Sequence, residues 1–358
     1  MKHIALLAGA RPNFMKIAPL RAALVNRGAR ATLIHTGQHY DPLMSDVFFR
    51  DLGLPEPDIN LGVGAGDRVE QMGSIVSALV PALKERSPEA LVVVGDITST
   101  VAGAMFGMLA GIPVAHVEAG LRSFHWPMPE ELNRMFTDHH SRWLFVTEPA
   151  GVRNLQEERV PAERIHFVGN VMIDTLRRFE RQAASSDILV RLGLQPKSYA
   201  VLTLHRPESV DRPETFLALA ATLAEASTRL PLIYPVHHRV RGRLTGTPLA
   251  TASGVRIIEP LGYVDMLALV RDATAVLTDS GGLQEETTAL GVPCITLRGQ
   301  TERPITVEVG TSEVVGHDRL AILDAVDRVL AGKWKKGSVP WLWDGRAAER
   351  IADILIAA

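Results

Sequence analysis

The sequence predicts an α/β protein of two doubly wound, Rossmann-like domains, each a parallel sheet covered by helices. Three observations predict it. Short β-rich apolar runs alternate with stretches of helical periodicity, the pattern of βαβ units. The runs are almost continuously apolar, as strands covered on both faces must be. The chain has 358 residues, too many for one ordinary core, so two domains of roughly 150–200 residues are expected.

The first domain is read as residues 1–172. Its strands are Ile4–Leu7, Ala31–His35, Leu91–Val94, Val114–Val117, Leu144–Thr147 and Ile165–Val168. A helical, charged stretch around Thr175–Arg191 leads to the second domain, residues 173–345, with strands Ala200–Leu204, Leu232–Val236, Arg256–Ile258, Ala275–Thr278 and Cys294–Leu297. Helical periodicity marks Phe14–Asn26, Phe216–Leu230 and Leu283–Leu290. A last helix, within residues 346–358, is expected to cross back onto the first domain.

Two segments need a decision. MKHIALLAGARPNFMK resembles a signal peptide, but its apolar run is short and Gly9, Arg11 and Pro12 interrupt it, so it reads as strand, turn and helix. The segment from Ile97 to Val117 is apolar enough to resemble a membrane span. Asp96 precedes it, and Gly111 and Pro113 break it, so a buried helix followed by a buried strand is the better reading.

Hydrophobic residues make up 46% of the chain, charged residues 22%, and the formal net charge is −2. No strong field advertises a nucleic-acid or membrane partner. The single cysteine, Cys294, has no internal disulfide partner and reads as core. With nothing to indicate an oxidising compartment, a cytoplasmic protein is expected.

The notable polar residues sort to strand C-termini. Arg11 follows the first strand, Gln38–His39 the second, and Asp96 and Glu118 the next two. His205, His237 and Asp279–Ser280 do the same in the second domain. Ligands of open α/β sheets bind outside these strand ends. Two such edges facing each other would form a cleft lined by all these groups.

Each motif has its own chemistry. LTDSGGLQEET reads as strand, turn and helix, with Ser280, Gly281 and Gly282 opening a helix whose first amides would cradle a phosphate. Glu286, one turn in, would grip a ribose diol. GARPNFMKIAPL sets Arg11 and Lys16 near a helix start, where cations are disfavoured unless an anion binds. TLHRPES puts His205 and Arg206 after a strand, as donors to a diphosphate. HVEAGLRSFHWPMPEELNR gathers Glu118, Glu130, Glu131, Arg122, Arg134, His116 and His125. Within it Glu130 and Arg134 are i,i+4 neighbours. No Gly-x-Gly-x-x-Gly or Walker lysine motif indicates a nucleotide cofactor, and neither His139–His140 nor His237–His238 has a metal-site partner motif, so no cofactor and no metal are expected.

Taken in order, GARPNFMKIAPL, TGQHYD, VVVGDITST, HVEAGLRS, MPEELNR, HFVGNVMID, TLHRPES, YPVHH, LTDSGGLQEE and TERPITVEVGT resemble the non-hydrolysing UDP-N-acetylglucosamine 2-epimerases. The resemblance runs from residue 9 to about 311. It implies the two-domain glycosyltransferase-B fold and interconversion of UDP-GlcNAc and UDP-ManNAc. The implied route is elimination of UDP to a 2-acetamidoglucal, then re-addition, with no redox cofactor. By this match Asp96, Glu118 and Glu130 are the acid–base candidates. Arg11, Lys16 and His205 match substrate and diphosphate positions, and Arg134, Ser280, Gly281, Gly282 and Glu286 match UDP-binding positions. Arg206 and His237 join the substrate-binding set. A UDP-sugar partner and a homodimer are implied as well.

The sequence departs from the family pattern at Ile97, where GDT is common, at Ser209 in place of Asn, in YPVHHRVR, and in TGQHYD where bacterial members carry TGQHR. The alternatives are a 2-epimerase of a modified UDP-sugar, a hydrolysing relative, a glycosyltransferase of the same fold, and a catalytically silent sensor of nucleotide sugars.

Overall fold

The computed structural model describes residues 1–37, 53–64, 66–84 and 86–358, with the side chains of Arg11, His238 and Arg239 outside the description. Gln38 and His39, expected past the second strand, therefore lie outside the described residues, as does most of TGQHYD.

The chain divides into two units, Met1–Thr175 with Trp341–Ala358, and Leu176–Pro340. Unit 1 holds strands β1 (His3–Ala8), β2 (Arg30–His35), β3 (Ile59–Asn60), β4 (Ala90–Val94), β5 (Val114–Ala119), β6 (Trp143–Val146) and β7 (Ile165–Phe167). Their order is β3-β2-β1-β4-β5-β6-β7, and every pairing is parallel. The order reverses between β1 and β4, so the crevice at their carboxyl ends is where a ligand site is expected.

The helix Thr98–Ala110 accounts for the span-like segment. It is buried on most of its surface, and its small residues let it lie flat on the sheet. A Cβ at Gly103 would sit 2.6 Å from Leu7 Cδ2, and one at Gly107 2.3 Å from Val114 Cγ2. Among the described residues no helix is long and apolar enough to cross a membrane.

The return segment is sewn into unit 1 by polar contacts. Trp343 is buried and its Nε1 donates to the Thr147 carbonyl at 3.0 Å. Asp174 accepts from the first amides of helix Ala347–Ala357, those of Ala347 at 3.1 Å and Ala348 at 2.6 Å. Burial pushes the Asp174 carboxyl up to about 6 even so. Arg27, closing helix Arg11–Asn26, pairs with Asp353 at 2.5 Å.

Unit 2 repeats the plan with β8 (Ala200–Thr203), β9 (Leu232–Pro235), β10 (Val255–Ile258), β11 (Ala275–Thr278), β12 (Cys294–Thr296) and β13 (Ser312–Val314). The order is β10-β9-β8-β11-β12-β13, again parallel, with the reversal between β8 and β11. Leu202, Leu219, Leu223, Leu277 and Ile295 belong to the core cluster on one side of this sheet. Cys294 is fully buried in β12, and burial pushes its thiol up.

Three details differ from the sequence reading. The two-residue β3 and three-residue β13 are added at sheet edges. The unit boundaries fall at 175/176 and 340/341 rather than 172/173 and 345/346. β5 also runs on through Ala119, so Glu118 lies inside the strand and not beyond it.

Candidate active site

In unit 1 the groups gather where the strand order reverses. Helix Arg11–Asn26 begins after β1 without a side-chain cap on Ala10. Asn13 does that work from within. Its Oδ1 accepts from the Gly9 and Ala10 amides at 3.4 and 3.0 Å, and its Nδ2 donates to the Val94 carbonyl at 2.9 Å. The helix start is thereby tied to the end of β4. One turn later Lys16, 8% exposed, forms an ion pair with Glu118, 3% exposed. The cation expected to await an external anion therefore already has a carboxylate partner.

Gly95 explains why this pair fits. Its φ is +71°, and a Cβ there would lie 3.3 Å from Glu118 Oε2 and 3.5 Å from both Asn13 Nδ2 and Lys16 Nζ. Asn13, Lys16, Gly95 and Glu118 thus share one spot, with Asp96 next in sequence. Glu118 has φ +72°, and the β5–β6 register shifts between Val117 and Ala119. A left-handed glutamate in a strand stores strain of about 1–3 kcal/mol, and such residues cluster at functional sites.

Arg134 is 1% exposed on helix Pro129–His140 and pairs with Asp96 at 2.5 Å and Glu131 at 2.5 Å. The i,i+4 partner expected for Arg134 was Glu130; the carboxylate that takes its guanidinium is Glu131, three residues away. The reason is tertiary. Glu131 also accepts from the Ser123 amide and hydroxyl, both at 2.9 Å, and from the Phe124 amide at 2.9 Å. Burial would raise the Glu131 carboxyl, but these donors and Arg134 hold it below its usual range. Glu130 is half-buried, and its side chain makes no hydrogen bond or ion pair among the described residues. The Asp96 side chain is 30% exposed.

In unit 2 the second reversal gathers the groups expected at a diphosphate. Asp279, fully buried after β11, accepts from the His205 amide at 3.1 and 3.0 Å and from the Arg206 amide at 2.9 Å, and it pairs with His205 Nδ1 at 3.0 Å. Burial opposes its charge, yet these donors hold its carboxyl below the usual range. The His205 ring is left 36% exposed, with His237 at 5.9 Å between ring centroids.

Ser280 caps helix Gly281–Leu290, its side chain accepting from the Leu283 amide at 3.5 Å. That places the Gly281 and Gly282 amides among the first-turn donors that an α-helix leaves without an intrahelical acceptor, as an anion site requires. A Cβ on Gly281 would lie 2.4 Å from Arg303 Nη1. Arg303 in turn pairs with Glu285 at 2.7 Å and Glu302 at 2.6 Å, and Glu302 also receives Arg298 at 2.7 Å and Arg206 at 3.2 Å. Glu286 is buried on the same helix and accepts from the Tyr263 hydroxyl at 3.0 Å. Burial pushes its carboxyl up to about 7.

The sequence-picked residues therefore form two groups. Lys16, Asp96, Glu118 and Arg134 meet in unit 1, and Glu130 lies on the Arg134 helix without joining their hydrogen bonds. His205, Arg206 and His237, with Ser280, Gly281, Gly282 and Glu286, belong to unit 2. The Arg11 side chain lies outside the described residues. Sequence reading missed Asn13, Tyr263, Arg298, Glu302 and Arg303 as individual contributors. Only TERPITVEVGT carried a signal for the last two. Among the described residues, no group of three His, Cys, Asp or Glu could hold a metal ion.

Comparison with known proteins agrees over nearly the whole chain. The model of the UDP-N-acetylglucosamine 2-epimerase family matches residues 22–356. A UDP-N-acetylglucosamine 2-epimerase of Methanocaldococcus jannaschii is 38% identical over 363 residues, covering 98% of each chain. A UDP-2,3-diacetamido-2,3-dideoxy-D-glucuronate 2-epimerase of Pseudomonas aeruginosa is 36% identical, covering 98% of this chain and 99% of its own. The crystal structure of the M. jannaschii UDP-GlcNAc 2-epimerase in complex with UDP-GlcNAc and UDP matches at a TM-score of 0.91 over all of both chains, at 38% identity. With the parallel sheets, the two gathered groups and these matches in agreement, the chain belongs to the UDP-N-acetylglucosamine 2-epimerase family.

Proposed function

We propose that this chain inverts C2 of UDP-N-acetylglucosamine to give UDP-N-acetylmannosamine, without hydrolysis and without a redox cofactor. The observation that carries the proposal is the pairing of two carboxylates, Asp96 after β4 and Glu118 in β5, each with a buried cation, Arg134 and Lys16. The C2 proton is not acidic, so the C1–O bond to UDP breaks first and leaves positive charge at C1. Loss of the C2 proton to a carboxylate then gives the 2-acetamidoglucal. Return of a proton to the opposite face of C2, with UDP adding back at C1, completes the inversion. Two proton-transfer groups are needed for two faces; Asp96, Glu118 and Glu130 supply the candidates.

Unit 2 supports the leaving group in this reading. The first amides of helix Gly281–Leu290, with His205 and Arg206, stabilise the departing diphosphate. Glu286 grips the ribose. A UDP-sugar is thus the partner proposed, and the family resemblance extends the proposal to a homodimer, to be read by light scattering.

The test is proton NMR of the purified protein with UDP-GlcNAc in D2O, without added metal or cofactor. UDP-ManNAc carrying deuterium at C2 is expected. Free ManNAc in place of UDP-ManNAc would overturn the non-hydrolysing reading. The likeness to the P. aeruginosa relative motivates a second reading, a UDP-2,3-diacetamido uronate as substrate; turnover of that sugar alone would select it.

A further inference from the structure

The left-handed turn at Glu118 needs something to hold it. Two residues before it, His116 is fully buried and its Nδ1 lies 2.7 Å from Asp138 Oδ1. Two residues after it, the Gly120 amide donates to Asp138 Oδ2 at 3.1 Å. One carboxylate on helix Pro129–His140 thus grips the chain on both sides of the distorted residue. The grip is itself braced: Arg122 pairs with Asp138 at 2.7 Å and is bidentate to Glu158 at 2.7 and 2.8 Å.

The second ring nitrogen of His116 lies 2.8 Å from the Gly95 carbonyl. Gly95 is the residue before Asp96, and it packs under the Glu118 carboxylate. The groups facing both ring nitrogens, a carbonyl and a carboxylate, can only accept. The ring thus bridges the Gly95 carbonyl and the Asp138 carboxylate. The Asp138 carboxyl, although burial opposes its charge, is held below the usual range by His116 and Arg122.

We propose that Asp138 and His116 form a positioning clamp for the acid–base site. Asp138 fixes the left-handed backbone of Glu118, and His116 carries the same grip to Gly95, so the carboxylates of Glu118 and Asp96 are set against each other. Neither clamp residue touches substrate. The inference rests on the reading of Asp96 and Glu118 as proton-transfer groups.

The test has two parts. In the whole chain, NMR of the histidine rings should show a His116 ring N–H that is hydrogen-bonded and slow to exchange with solvent. A His116 ring proton that exchanges as fast as that of an exposed histidine would overturn the clamp. In Asp138→Asn, an amide replaces an acceptor that three donors share, and kcat for epimerisation should fall at least tenfold while KM stays within about twofold. Wild-type kcat in a folded variant would also overturn it. If Asp138→Asn fails to fold, the ring-proton measurement on the wild-type chain decides alone. A wild-type chain that leaves every UDP-sugar unchanged counts against the epimerase reading, and the His116 ring proton still decides the clamp.

Discussion

Lys16 and Glu118 form a buried ion pair although they stand 102 residues apart. Removing the cation leaves a carboxylate desolvated in the core without it, which typically costs about 3–5 kcal/mol. Lys16→Met should therefore lower the unfolding free energy from urea denaturation by that measure and abolish turnover together. Unchanged stability would mean that the pair is not buried in solution.

Asp96→Asn should cut epimerisation by roughly a hundredfold or more, the scale of a lost acid–base group. UDP binding, followed by calorimetry, should be unchanged. The Asp96 pair with Arg134 is partly exposed, so most of the loss is expected in kcat and little in folding. Near wild-type turnover would remove Asp96 from the acid–base set.

Gly281→Ala should weaken UDP binding at least tenfold. The new methyl meets the Arg303 guanidinium at 2.4 Å and Glu302 Oε1 at 3.1 Å, and that guanidinium is pinned by two acids. The matching control is Gly291→Ala. Gly291, which ends the same helix, has φ +69°, unlike Gly281, and nothing within 4 Å of the added carbon. Its cost is backbone strain alone, about 1 kcal/mol of stability, with UDP affinity kept.

The proposed ribose role of Glu286 makes UDP binding depend on pH. In that role the ionised carboxylate grips the diol, and burial lifts its pKa to about 7. UDP affinity should therefore rise as pH climbs from 6 to 8, and Glu286→Gln should flatten the profile. Stability runs the other way. A folded pKa above the unfolded 4.5 means the folded chain holds the proton, so this contribution is full below 4.5 and is lost as pH rises through about 7. Chemical denaturation at pH 5 and pH 8 should show a smaller loss for Glu286→Gln than for the wild type.

Much of this was legible in the sequence because parallel strands buried on both faces leave long apolar runs. Their C-terminal ends could be located well enough to bring Asp96, His205 and Ser280 to sheet edges. What escaped was decided by partners distant in sequence. β3 is two residues long and exists only because β2 offers it a ladder. Glu130 and Glu131 are equivalent to any local rule; the Ser123 and Phe124 amides choose between them. The Glu302 cluster joins residues 206, 298 and 303, and no spacing within one segment announces it. The extension of β5 through Glu118 was missed because an acidic residue reads as a strand end, whereas here it is a bulge.

The return of residues 341–358 to unit 1 has a consequence for synthesis on the ribosome. Unit 2 is complete once Pro340 has emerged, but unit 1 still lacks the segment that supplies Trp343 to Thr147 and helix Ala347–Ala357 to Asp174. The domain begun first is therefore finished last. A chain stopped at residue 340 would keep unit 2 and strip unit 1 of helix Ala347–Ala357, which packs on the very helix that carries Lys16.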